Sequence, residues 1–222
     1  MEKAAHEAKE NIGGITWREF VTTTLADSKF RTDLESFVAP LLEAGYVNSL
    51  ALILLKLTAP GVPDIYQGTE LWDLSLVDPD NRRPVDFALR QQLIAKAAAL
   101  SAEGAWQERV SGLPKLWLIR RMLRLRERRP ALFSVNAGYE PLVPRGHAVE
   151  HVVAFQRGDS LITVVPRLVI GLKDDWRDTT IKIPAGNWHN ELTGEIMPPG
   201  PALLRDLLRR FPVALLRREE SP

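Results

Sequence analysis

No regular element can run far through residues 59–72. The stretch Ala59-Pro60-Gly61-Val62-Pro63-Asp64-Ile65-Tyr66-Gln67-Gly68-Thr69-Glu70-Leu71-Trp72 sets two prolines and two glycines among aromatic and polar side chains. A denser polar run follows, Asp78-Pro79-Asp80-Asn81-Arg82-Arg83-Pro84-Val85-Asp86. Proline removes a backbone donor and fixes φ, and glycine loosens the chain, so together they stop a helix on one side and a strand on the other. What fits between them is a short strand, Asp64-Ile65-Tyr66, that ends in a long polar loop.

The flanking segments are helical by pattern. Residues 33–43 place Leu34, Phe37, Val38 and Leu41 at i, i+3, i+4 and i+7, and Gly45 is expected to end that helix. Asn48 or Ser49 would then cap a second helix carrying Leu50, Ile53, Leu54 and Leu57, which Pro60-Gly61 stops. Upstream, residues 2–11 are polar and helix-prone, and 17–26 form a short amphipathic stretch. Downstream, 85–100 and 115–128 each predict a helix; in the latter, Leu116, Ile119, Met122 and Leu123 make one stripe and five arginines cover much of the rest. The order helix, loop, strand, long loop is that of an α/β repeat. Polar groups at the carboxyl end of a strand are where α/β barrels place their sites.

The pattern changes after Phe133. β-Branched runs at 149–155, 161–165, 179–183 and 212–216 read as strands. Gly158-Asp159, residues 184–187 and Thr193-Gly194 supply turns, and 203–210 a short helix. The spacing predicts a small antiparallel β-sandwich from about residue 134.

Composition sets outer limits. The 222 residues carry a net charge of +1, so no bulk field favours nucleic acid. There is no cysteine, which excludes disulfides and thiolate metal sites and fits a cytoplasmic location. The first residues, Met1-Glu2-Lys3-Ala4-Ala5-His6-Glu7, lack the apolar core of a signal peptide. The longest apolar run, 50–57, contains Lys56 and falls short of the ~20 residues of a membrane span. No membrane or nucleic-acid partner is expected.

The run from Leu57 to Glu70, continued through Asp78-Pro79-Asp80-Asn81-Arg82-Arg83-Pro84, resembles the eighth strand and following loop of the maltooligosyltrehalose synthases, in the α-amylase superfamily (glycoside hydrolase family 13). The similarity extends through Lys115-Leu116-Trp117, Arg129-Pro130-Ala131-Leu132-Phe133 and His151-Val152-Val153-Ala154-Phe155. It covers most of the chain and is weakest over 1–30 and 167–178. It implies an α/β plus all-β fold. Residues 1–133 would be the C-terminal part of a (β/α)8 barrel, with the last strand and flanking helices, and 134–222 a C-terminal β-sandwich domain. It implies conversion of the reducing-end α-1,4 linkage of a maltooligosaccharide to α,α-1,1 by intramolecular transglucosylation, without a cofactor.

Retaining chemistry on a glucoside needs two carboxyl groups about 5 Å apart, and the family adds a third aspartate. Their motifs, a Gly-x-Arg-x-Asp, a strand-terminal Glu and a His-Asp pair, do not occur in this chain. The resemblance therefore implies a C-terminal portion without catalytic residues. Its partners would be an N-terminal barrel fragment and, once assembled, a maltooligosaccharide. Tyr66, Gln67, Glu70, Asp78, Asp80, Asn81, Arg82 and Arg83 are the candidate substrate-binding residues, because planar polar groups and aromatic faces suit sugar hydroxyls and rings. The charged members could instead pair with one another, since Arg–carboxylate forks stabilise loops. A metal on Asp78, Asp80 and Asp86 is disfavoured by the adjacent arginines. The arginine-rich helix reads as a solvated face whose stems cover apolar neighbours, and Trp106, Trp117, Trp176 and Trp188 as packing residues. The alternative function is a non-catalytic remnant, a glucan-binding or structural module.

Overall fold

The computed structural model describes residues 11–12, 15–75 and 82–219. By its packing the chain divides into two units, Met1–Glu43 and Ala44–Pro222. In the first, β1 (Asn11–Ile12) and β2 (Ile15–Thr16) form a short antiparallel ladder. Helix α1 (Trp17–Ala26) starts from a reciprocal cap: Thr16 Oγ1 accepts from the Glu19 amide at 3.2 Å and the Glu19 carboxylate accepts from the Thr16 amide at 2.9 Å. α1 buries none of its residues.

Helix α2 (Ser28–Thr58) is continuous, so the stop expected at Gly45 and the cap expected at Asn48 or Ser49 are corrected. Glycine in a helix costs about 1 kcal/mol. Here the residues after it repay that cost. Ala44, Val47, Leu50, Ala51, Ile53, Leu54 and Leu57 are buried at helical spacing, each large side chain contributing roughly 1.5–3 kcal/mol. By length and composition α2 would also cross a membrane. Leu50, Leu54 and Leu57, however, are fully buried against protein, as in a core helix.

Helices α3 (Phe87–Ala98), α4 (Ala102–Gln107) and α5 (Leu113–Arg128) follow. Asp86 caps α3, its carboxylate accepting from the Leu89 amide at 2.9 Å. Pro114 sits in the first turn of α5, where its missing N–H is no loss.

A six-stranded antiparallel sheet has the order β3-β4-β5-β10-β7-β8. Its members are β3 (Glu140–Pro141), β4 (Val152–Arg157), β5 (Leu161–Pro166), β7 (Trp188–Asn190), β8 (Ile196–Met197) and β10 (Ala214–Arg218). The short helices α6 (Val169–Leu172) and α7 (Leu204–Leu207) lie in the connections. β6 (Thr180–Ile183) and β9 (Gly200–Leu203) pair separately. Side chains alternate across the large sheet. Leu161, Val165 and Leu215 join Leu50, Leu54, Leu57, Trp117, Phe133 and Phe211 on one face. Ile162, Val164 and Leu216 join Ile181, Ile183, Trp176 and Trp188 on the other.

The sheet is antiparallel; helices cover one face, and the β6–β9 pair packs on the other. Leu50, Leu54 and Leu57 share a core with α5 and the helix-covered face of the sheet. Residues on both sides of 134 share one core, and the packing division falls at Glu43. Asp64-Ile65-Tyr66, expected as a strand, forms none: it has no ladder partner among the described residues. Every ladder among the described residues is antiparallel.

Candidate functional site

The loop after α2 is fixed at several points. Lys56 Nζ donates to the Asp64 carbonyl at 2.9 Å. A turn closes at Thr69, whose amide and hydroxyl both donate to the Tyr66 carbonyl, at 3.1 and 2.7 Å. Arg90, in the first turn of α3, then uses all three guanidinium nitrogens. Nε donates to Glu70 at 2.9 Å, Nη2 to the Gly68 carbonyl at 2.6 Å and Nη1 to the Asp86 carbonyl at 3.0 Å. Gly68 has φ +90°, and a Cβ there would stand 3.2 Å from the Val85 side chain. Glycine thus lets the two arms of the loop approach.

Trp72 anchors the far arm. Its ring stacks on Tyr46 and its indole N–H donates to the Arg109 carbonyl. Beside it Lys115 Nζ donates to the Leu71 carbonyl at 3.2 Å. Burial pushes the Lys115 ammonium below its ordinary value; the Asp73 carboxylate opposes this, Lys56 adds to it and Glu70 opposes it. The Asp73 carboxyl is lowered chiefly by the Ser75 hydroxyl, then by the Ser75 amide, with Lys115 and Arg83 adding their charge. The loop and its neighbours therefore bring Lys56, Glu70, Asp73, Arg83 and Lys115 within electrostatic reach of one another.

Of the expected site residues, Tyr66 is 46% exposed and Gln67 exposed, both on the clamped turn. Glu70 is half-buried and taken by Arg90. Arg82 and Arg83 are exposed. Asp78, Asp80 and Asn81 lie outside the described residues. Asp86 is a helix cap, and among the described residues no three His, Asp or Glu side chains gather as metal ligands. Of the described loop carboxylates, Glu70 is engaged by Arg90 and Asp73 by Ser75, while Asp64 is exposed; the loop's polar groups can bind and orient hydroxyls. Sequence reasoning missed Arg90, Tyr46 and Asp73. The spacing of Arg90 four residues after Asp86 was the available signal, since that distance brings a long side chain back over the helix start.

The other candidates are structural. Trp117, Trp176 and Trp188 are buried, and Trp106 meets Phe211 edge-on. On α5, Arg121 lies over Trp117 at 4.3 Å and Arg126 over Phe133 at 4.5 Å, and Arg126 also donates to the Leu57 carbonyl at 2.7 Å.

No family model matches the chain. A Mycobacterium tuberculosis protein named as a maltooligosyl trehalose synthase is 39% identical over 196 residues, which is 88% of this chain and 24% of that protein. The structure of maltooligosyltrehalose synthase from Arthrobacter ramosus is 41% identical over 90% of this chain and 26% of its own, with a TM-score of 0.79. A Sulfolobus tokodaii chain described as a hypothetical maltooligosyl trehalose synthase is 28% identical over 89% of this chain and 24% of its own, with a TM-score of 0.67. The chain spans about a quarter of the length of each of these relatives. Sequence and fold agree in placing this chain, over that quarter, in the maltooligosyltrehalose synthase family.

Proposed function

We propose that the chain supplies one wall of the glucan cleft of a cytoplasmic maltooligosyltrehalose synthase, and that the catalytic carboxylates come from sequence outside residues 1–222. The parent reaction is rearrangement of the reducing-end α-1,4 linkage of a maltooligosaccharide to α,α-1,1. The observation that carries this reading is the Arg90 clamp. It holds Gly68, Glu70 and Asp86 together while Tyr66 and Gln67 stay exposed on the same turn. A rigid turn with an exposed aromatic ring and amide suits a sugar, whose binding is strongest when the site is already formed. The loop and the helices flanking it in sequence also expose Leu52, Val62, Leu74 and Phe87, at 67%, 98%, 90% and 57%, and exposed apolar surface of this kind suits an interface. A neighbouring β/α repeat would cover it and would give the Asp64-Ile65-Tyr66 segment its missing ladder.

The test is reassembly. The 222-residue chain is mixed with the Arthrobacter ramosus polypeptide lacking its matching quarter, and loss of reducing ends from maltopentaose is followed. Activity is expected only from the mixture. Product from this chain alone would overturn the proposal, and glucan binding without activity from the mixture would favour the non-catalytic module.

A further inference from the structure

A second cleft, separate from the loop, lies along the outward stripe of α5. Arg120, Arg121, Arg124 and Arg128 line it, against the end of α3 at Ala97 and Ala98, and it encloses about 220 Å3. Spacing of i, i+4 and i+8 puts Arg120, Arg124 and Arg128 on one line about 12 Å long, at 1.5 Å rise per residue. Its floor includes the buried Met122 and Leu125.

The charge balance of this cleft is one-sided. Arg120, Arg124 and Arg128 make no hydrogen bond or ion pair with other described residues. The one carboxylate on the lining, Glu191, is engaged by Arg217 at 2.5 Å, outside the cleft, and the Glu191 carbonyl accepts from Arg121 at 3.2 Å. Stacking on Trp117 fixes the Arg121 guanidinium in place, and the neighbouring charges of Arg120 and Arg124 reach it. Like charges at i, i+4 destabilise a helix by a few tenths of a kcal/mol each. Among the described residues, the charge that opposes this repulsion at Arg121 is Glu191. Guanidinium groups match phosphate oxygens in geometry and charge. A nucleic acid would need a longer basic track than one 12 Å stripe on a chain of net charge +1.

We propose that this arginine-lined cleft binds a phosphate group, either free phosphate or the phosphate of a sugar monoester. The test is calorimetry on the 222-residue chain with inorganic phosphate, glucose 6-phosphate and, at matched ionic strength, sodium chloride. Phosphate should bind, and Arg120→Gln/Arg124→Gln should weaken it at least tenfold, while Arg205→Gln on α7 should not. Tighter binding of glucose 6-phosphate assigns the site to a phosphorylated sugar, and equal binding to free phosphate. The proposal is overturned if chloride gives the same heat, if the double variant binds phosphate undiminished, or if a single-stranded oligonucleotide binds far more tightly than either with steep salt dependence. Should the double variant lose its helical circular dichroism, Arg124→Gln alone decides: a threefold loss is expected, and undiminished binding refutes the site.

Discussion

The indole of Trp72 lies nearly flat on the phenol ring of Tyr46, with ring centroids 5.0 Å apart and planes at 13°. The pair joins α2 to the end of the 59–75 loop, and the indole N–H, donated to the Arg109 carbonyl, joins both to the turn before α5. Aromatic pairs add about 0.5–1.5 kcal/mol beyond their buried area. Trp72 is only half-buried, so Trp72→Ala is expected to cost about 2–3 kcal/mol, below the range for a fully buried aromatic. Tyr46→Phe keeps the stack and should cost under ~0.5 kcal/mol. Urea unfolding of the two variants checks this; equal losses would mean that the stack contributes nothing.

Arg90 allows a sharper test of the clamp. Arg90→Lys keeps the charge but can no longer reach Glu70, Gly68 and Asp86 together, because an ammonium is a point donor and guanidinium a fork. A loss of about 1–3 kcal/mol is expected. In a double-mutant cycle with Glu70→Gln the two changes should be non-additive, as neighbours in one network are. Amide exchange at Thr69 reads the loop directly and should quicken in Arg90→Lys. Unchanged exchange would show that the turn holds without the clamp.

These contacts bear on what the sequence can reveal. Local signals carried well: the hairpin at Gly158 forms with φ +52°, and the turn at Thr193-Gly194 joins β7 to β8 with φ +76° at Gly194. The short strand β7, at three residues, is too brief to carry a readable pattern. Gly45 misled because the burial that holds α2 together comes from residues distant in sequence, such as Trp117 and Leu161. β5 reads as one apolar run because both its faces are buried, and periodicity cannot say that helices cover one of them. Tyr66, Gln67 and Glu70 were legible as site candidates, but the arginine that organises them belongs to the next helix and touches them only once the chain has folded.

Gly112 links the loop to α5 through the backbone itself. Its φ is +80°, and a Cβ there would stand 2.8 Å from the Trp72 amide nitrogen and 3.1 Å from Leu71 Cβ. Gly112→Ala therefore meets both a left-handed backbone and a contact that only a backbone shift relieves. A loss of about 2 kcal/mol or more is expected. Gly194→Ala, with open space around it, should lose only the conformational share. Thermal unfolding of the pair decides it; equal shifts would remove the contact from the explanation.

Acid titration reads a different tie. The Arg210 guanidinium holds the Glu103 carboxyl down to about 2, joining α4 to the segment after α7. A carboxyl whose folded value is depressed stabilises the fold above its unfolded value, near 4.3, and that contribution is lost as pH falls from there toward 2. Both side chains are about a third exposed, so the effect is screened and small. The expected outcome is a shallower loss of stability between pH 5 and 2.5 in Glu103→Gln than in the parent chain. Parallel curves would remove the pair from the acid response.

The last prediction concerns the exposed face of the clamped turn. In the reassembled enzyme, Tyr66→Ala and Gln67→Ala remove groups that are exposed in this chain, so neither should lower its stability by more than ~0.5 kcal/mol. Each should nonetheless lower kcat/KM about tenfold, since an aromatic face or an amide pair on a sugar is worth about 1.4 kcal/mol if it acts in the transition state. Tyr66→Phe keeps the face and should retain most activity if stacking is the contribution; if it falls as far as alanine, the hydroxyl is what matters. Lys173→Ala, past the end of α6, serves as the reference and should be silent. A fall in KM-type binding alone, with kcat intact, would make the turn a uniform binding surface. Full activity in both alanine variants would leave Tyr66 and Gln67 as surface residues and sink the cleft-wall reading.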